Sequence, residues 1–145
     1  MSVEVDEKIE KIFKVDYGDI LFQRSSETRE DAGTANIYLD KNNFALFGGF
    51  VIRGRKISEY VPEFMNYFLK SSEIRHRIFM ISQGAQHINI GQNDLSELKI
   101  KIPCEEEQKK IAEYFSSLDR IIDAENKMLE HLRLMKKGLL QKLFL

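Results

Sequence analysis

Two polar stretches hold most of the side chains able to read another molecule. Residues 23–34 carry Arg24, Ser25 and Arg29 among short polar residues. Residues 83–92 carry Gln83, Gln86, His87, Asn89 and Gln92, with Asn93 just beyond and glycines on both sides. Geometry favours Arg against the guanine edge and Asn or Gln against the adenine edge of a base pair. Lys, Ser and Thr more often hold phosphates. A third set, Arg53, Arg55 and Lys56, follows Gly48-Gly49, and Arg75, His76 and Arg77 form a fourth. Taken one at a time, each of these is an ordinary solvated surface residue.

Catalytic chemistry finds little support. Asp16, Asp19 and Glu27 gather near Arg24, the raw material of a small metal-dependent nuclease, but no lysine stands at a fitting spacing beyond them. His76, His87 and His131 are too dispersed for a metal site, and one cysteine, Cys104, supplies neither a disulfide nor a cysteine zinc centre. At a helix start its thiol would be activated by the dipole, yet no base accompanies it, so Cys104 is read as a cap position. Gly48-Gly49 is not followed by a Walker lysine, and no Asn/Asp-Pro-Pro-Tyr/Phe motif is present. No catalytic residue, metal site or cofactor is therefore expected.

The elements that must position these groups read as α+β. Residues 1–14 fit a short helix, 20–22 a buried strand and 36–39 a short strand. Residues 40–43 fit a turn. Residues 44–47 and 49–53 fit strands, broken by Gly48-Gly49 in a bulge or close backbone approach. A helix over 60–81, with Pro62 in its first turn, is divided at Ser71-Ser72. Asn93-Asp94-Leu95 cap a short helical turn, and 98–102 alternate as a strand with one wet face that Pro103 ends. The domain boundary falls there, giving 1–103 and 104–145. Hydrophobic residues make up 43% of the chain, enough for a core in the first part.

From Glu105 an unbroken helix is expected. Ile111, Phe115, Leu118, Ile122, Glu125, Leu129, Leu132, Lys136, Leu139 and Leu143 fall alternately four and three apart, the seam of a coiled coil rather than the wider stripe of a core helix. Its length, roughly 57 Å, outruns a domain whose radius of gyration is about 14 to 15 Å. Such a helix projects and needs a partner. In an antiparallel homodimer Glu125 and Lys136 pair across the axis.

Four segments, in order, resemble the specificity subunit of type I restriction-modification systems. Gly18-Asp19-Ile20-Leu21 is similar to that family's "GDIL" element, and residues 84–98 to its late polar loop. Residues 98–112, with Glu107-Gln108 and Ile111-Ala112, resemble its strand, proline and "EQxxIA" helix start; Leu118-Asp119 and residues 136–144 resemble its "LD" and "KxGLLQxLF" close. The resemblance covers about residues 17–145. It implies a small mixed α/β target-recognition domain followed by one conserved helix. The usual opening of such a domain, an aromatic-containing helix and a strand, is not evident in 1–16, so a half-length subunit, a fragment or a recombination cassette is expected.

With the resemblance added, the two loops are expected to contact double-stranded DNA. Gln86, His87 and Asn89 become base readers, Arg53, Arg55 and Lys56 phosphate anchors, and Arg24, Ser25, Arg29 and Gln83 complete the set. The net charge of −1 excludes a generic polyanion binder but not one local basic face. The resemblance further implies a non-catalytic subunit reading half of a bipartite site, docked to methyltransferase subunits and through them to a restriction subunit. No membrane partner is expected, and the setting expected is cytoplasmic. The competing expectations are a coiled-coil scaffold that never meets DNA and the small nuclease.

Overall fold

The structure, a computed structural model, describes residues 7–28, 30–84 and 88–144. The chain divides into two compact units, Met1–Lys109 and Lys110–Leu145. Helices and small antiparallel sheets make up the first unit, and a 39-residue helix runs from its end through the second, an α+β architecture. Among the described residues no helix is long and apolar enough to cross a membrane.

The first unit is built around a three-stranded antiparallel sheet of order β3-β1-β4. Its strands are β1 (Ile20–Gln23), β3 (Ala35–Ile37) and β4 (Val51–Gly54). Ile20 pairs with Ile37 and Gly54, Leu21 with Asn36 and Arg53, and Phe22 with Ala35 and Ile52. Because side chains alternate along a strand, Ile20, Phe22, Ala35, Ile37 and Ile52 share one face. Leu21, Gln23, Asn36 and Arg53 share the other. The first face meets Met65, Leu69, Ile74, Ile78 and Ile90 in the core.

Two helices cover that face: α2 (Pro62–Phe68) and α3 (Ser72–Ile81). Proline sits in the first turn of α2, where its missing N–H would be unpaired anyway. Extended backbone at Ser71 separates the helices, as the serine pair suggests. Before the sheet comes α1 (Glu7–Phe13). Between β1 and β3 lies a two-residue strand, β2 (Ser25–Ser26), whose partner is β5 (Ile88–Asn89). A short α4 (Gln92–Glu97) then leads toward α5 (Glu105–Leu143).

Gly18-Asp19 fastens the sheet to the helical layer. Gly18 has a positive φ of 89°, a conformation glycine adopts cheaply. Its N–H donates to Tyr38 O at 2.8 Å and its carbonyl accepts the Tyr60 hydroxyl. Asp19, 1% exposed, accepts the N–H groups of Asp16 at 3.0 Å and Lys56 at 3.2 Å. The turn after β3 is tied likewise: Asp40 accepts from the side chain and N–H of Asn43 and the N–H of Asn42, which hold its carboxyl below the usual range.

Several expectations are corrected. The strand 20–22 is half-buried, because its outer face is open. Residues 44–47 form no strand; Leu46 makes an isolated bridge to Lys14. No bulge occurs at Gly48-Gly49: the N–H of Val51 closes a turn on Gly48 O at 3.1 Å, and a Cβ at either glycine would meet nothing within 4 Å. Residues 98–102 are not a strand: among the described residues none pairs beside them, and Arg77 Nη2 donates to Lys99 O. Their alternation is still physical, for Leu98 and Ile100 pack against the core while Lys99 and Lys101 are exposed.

Helix α5 runs without interruption, roughly 57 Å at 1.5 Å per residue. Its apolar seam is exposed from Ile111 to Leu143. A further row, Tyr114, Ile121, Met128 and Met135, is exposed beside the seam at seven-residue intervals. The exposed apolar stripe is thus wider than the seam alone. Charge is polarised along the helix. Residues 105–125 hold seven acids and three bases, and residues 126–143 hold one acid and five bases.

Candidate nucleic-acid interface

The two polar loops, far apart in sequence, are stitched together. Ser25 pairs with Asn89 and Ser26 with Ile88 in the β2–β5 ladder. The N–H of Ile90 donates to Arg24 O at 2.9 Å, and Gln83 and Asn89 exchange N–H to O bonds of 2.9 and 2.8 Å. Gln83 and Asn89 are therefore bridged, and Ile88-Asn89 lies along the first loop. Arg24, Gln83 and Asn89 are exposed there, and Ser25 is half-buried. Arg29, Gln86 and His87 lie outside the described residues.

Helix α3 holds the first loop in place. Gly33 has a φ of 67°, and a Cβ there would stand 2.4 Å from Ile78 Cγ2 and 3.1 Å from Ile90 Cδ1. Only glycine lets the backbone come this close to the core. Arg75 Nη2 donates to the carbonyls of Glu30 and Ala32, the latter at 3.2 Å. Burial pulls the Arg75 guanidinium below its ordinary value against the opposing pull of Asp31. Its Nη1 is buried with no hydrogen-bond partner among the described residues. Arg75 is thus a brace rather than a free basic group. His76 stacks on Phe79 beside it, and Arg77 is committed to Lys99 O.

The basic trio stands elsewhere. Val51 is paired with Gln23, where the first loop leaves, and Gly54 with Ile20 at the other end of β1. Arg55 and Lys56 lie beyond Gly54, so Arg55 is about 13 Å along the strand from Val51 at ~3.3 Å per residue. Arg55 Nη1 bonds Asp16 Oδ2, Arg53 Nη1 bonds Lys14 O, and Lys56 Nζ lies 3.5 Å from Glu59. Both loops come together; Arg55 and Lys56 lie beyond the other end of β1, and Arg53 shares the outer sheet face with Gln23 and Asn36. Of the carboxylates in the nuclease expectation, Asp16 and Asp19 meet at Arg55, with Asp19 buried and accepting backbone N–H groups, while Glu27 follows β2. Among the described residues no three His, Cys, Asp or Glu side chains gather as a metal set.

Sequence reasoning passed over Gln23, Asn36 and Phe50. These line a groove of about 400 Å³ on the outer face of the sheet, with Leu21, Ser25 and Val51. The alternation along residues 20–23 was the available signal. The sequence marked the start of α5 but did not supply the partners of Gln108. Gln108 is 3% exposed, accepts the Val61 N–H at 2.9 Å and donates to Pro103 O at 2.8 Å.

With that geometry in view, comparison with known proteins is decisive. Residues 4–134 match the family described as Type I restriction modification DNA specificity domain. The chain belongs to that family. It is 34% identical over 135 residues to a Methanocaldococcus jannaschii protein bearing the name type I restriction enzyme MjaX specificity subunit, a stretch covering 91% of this chain and 31% of that one. It is 35% identical over 89 residues to the type I restriction enzyme MjaVIII specificity subunit of the same organism, covering 61% of this chain and 20% of that one. This specificity domain spans less than a third of the length of both curated relatives. Its "GDIL" and "EQ" residues, Asp19 and Gln108, are buried hydrogen-bonding fasteners, whereas Arg24, Gln83 and Asn89 on the loops are open to solvent.

Proposed function

We propose that this specificity domain is a non-catalytic module that reads one half of a bipartite DNA site and holds that reading at a fixed distance from a second one. The recognition part is taken as residues 1–103 and the conserved helix as 104–145. The observation that carries the proposal is the β2–β5 ladder, which merges two polar loops into one surface bearing Arg24, Ser25, Gln83 and Asn89. Arg and amide side chains on one surface suit base edges in a major groove. Arg29, Gln86 and His87 are carried in the same proposal from the sequence. Arg53, Arg55 and Lys56 are assigned to flanking phosphates. Arg55 pairs with half-exposed Asp16 and, at 3.9 Å, with buried Asp19, and Lys56 with exposed Glu59; the pairs to Asp16 and Glu59 are worth little and can be exchanged for phosphates.

Helix α5 is assigned to a second copy in antiparallel register. Its acidic and basic halves then oppose each other, whereas parallel copies would set like charges together. A two-helix seam leaves the row Tyr114, Ile121, Met128 and Met135 uncovered, which suits docking of methyltransferase subunits and, through them, a restriction subunit in the cytoplasm.

Selection from a random duplex library, with and without a methyltransferase subunit, tests the proposal. Enrichment of a short half-site is expected. Absence of enrichment in both conditions, with self-association intact, assigns the chain to a protein-only scaffold. Plasmid cleavage with magnesium alone assigns it to the nuclease.

A further inference from the structure

We infer that Phe50 and Asn36 together read an A·T base pair, the ring resting on the thymine methyl and the amide on adenine. The inference rests on the DNA-reading proposal above and names residues that proposal does not use. Arg24 N–H donates to Phe50 O at 2.8 Å, so the turn at 48–50 is bonded to the chain where the first loop leaves the sheet. Open space surrounds the two glycines of that turn, and Phe50 is 79% exposed at its end. A large exposed ring is ordinary when isolated; this one borders a groove shared with Gln23, Ser25 and Asn36 and adjoins exposed Arg24.

Asn36 stands on the outer face of β3 opposite Leu21. The Gln23 amide already donates to Ser25 O at 3.2 Å, so Asn36 is the amide the groove offers. In a major groove, an A·T pair presents the N6 and N7 of adenine beside the C5-methyl of thymine. An amide bidentate to the first and an apolar ring on the second fit that pattern. A G·C pair offers no methyl for the ring.

The test uses the full chain and a labelled duplex enriched by the library selection, with binding followed by fluorescence anisotropy. Each thymine is replaced in turn by deoxyuridine, which removes only the methyl, and the adenine opposite by 7-deazaadenine. At one pair, uracil is expected to weaken wild-type binding about fourfold, the size set by burying one methyl group. Phe50→Ala is expected to lose that methyl dependence and Phe50→Leu to keep part of it. Asn36→Ala is expected to become indifferent to 7-deazaadenine at the same pair. Equal melting temperatures for wild type and Phe50→Ala are expected from the ring's exposure. Methyl-independent wild-type binding overturns the inference while leaving DNA reading intact. So does a Phe50→Ala variant that retains the fourfold difference. A Phe50→Ala variant changed in sedimentation but not in DNA binding assigns the ring to a protein contact and overturns it also. Failure to enrich any duplex removes the underlying proposal, and this inference with it.

Discussion

Replacing Gln108 by alanine isolates the joint between the recognition fold and its long helix. In the native chain the carboxamide satisfies one donor, Val61 N–H, and one acceptor, Pro103 O. Truncation leaves both without that partner. A buried polar group left unpaired costs about 1–3 kcal/mol. Val61 and Pro103 are each only half-buried, so water recovers part of the loss, and the low end of the range for each, about 2–3 kcal/mol in total, is expected. For a fold of about a hundred residues each kcal/mol moves Tm by roughly 4–8 °C, so a fall near 10–20 °C follows. Tyrosine fluorescence during urea unfolding is the suitable readout. Four of the five tyrosines, Tyr17, Tyr38, Tyr60 and Tyr67, lie in the first unit, and helical ellipticity would report mostly on α5. Lys109→Ala is the control, because its pair with Glu105 is more than half exposed on both sides and such pairs contribute little. A Gln108→Ala variant within about 0.5 kcal/mol of that control, the range of ordinary surface substitutions, would refute the reasoning.

Gly33→Ala should destabilise the first unit by about 3 kcal/mol, combining left-handed backbone strain with overpacking against Ile78; a loss under about 1 kcal/mol in urea unfolding would contradict the close approach. Arg75→Met should speed amide exchange at residues 30–34 while α3 stays protected, since the carbonyls of Glu30 and Ala32 lose their donor. Lys136→Glu should weaken self-association in sedimentation equilibrium if the proposed cross-axis pair with Glu125 forms, and an unchanged dimer would rule that register out. Burial, with the nearby Asp19 charge adding to it, pushes the Tyr60 hydroxyl up to about 12, and burial with Glu63 does the same to Tyr17. The folded state therefore keeps protons that the unfolded chain releases above about pH 10. Stability is full below that value and falls as pH rises toward about 12. Tyr17→Phe and Tyr60→Phe should flatten that fall when unfolding is followed from pH 9 upward.

What could be seen in the sequence was what repeats with a period. The sheet centre at Ile20-Leu21-Phe22, the divided helix over 60–81 and the helix from Glu105 all announced themselves through spacing, and all occur. Two-residue strands have no period to detect, which is why Ser25-Ser26 and Ile88-Asn89 read as loop. The alternation at 98–102 correctly named the inward side chains, but a strand also needs a neighbour, and pattern alone cannot supply one. Likewise the exposed row from Tyr114 to Met135 was present in the sequence but hidden behind a more regular seam. At the candidate interface the loops were legible from their polarity. The brace by Arg75 and the position of Phe50 were not, since both depend on contacts between residues far apart in the chain.

Ser25 and Asn89, which face each other in the β2–β5 ladder, belong to opposite ends of the recognition fold's sequence. A contact between such distant positions closes a long loop, and its entropic cost must be met before the contact returns anything. Two residues of ladder are too few to meet it alone, so the pairing waits until the core around Ile74, Ile78 and Ile90 has formed. The proposed reading surface is therefore expected to form late in folding, and a chain still growing or partly unfolded to carry the loops without the ladder.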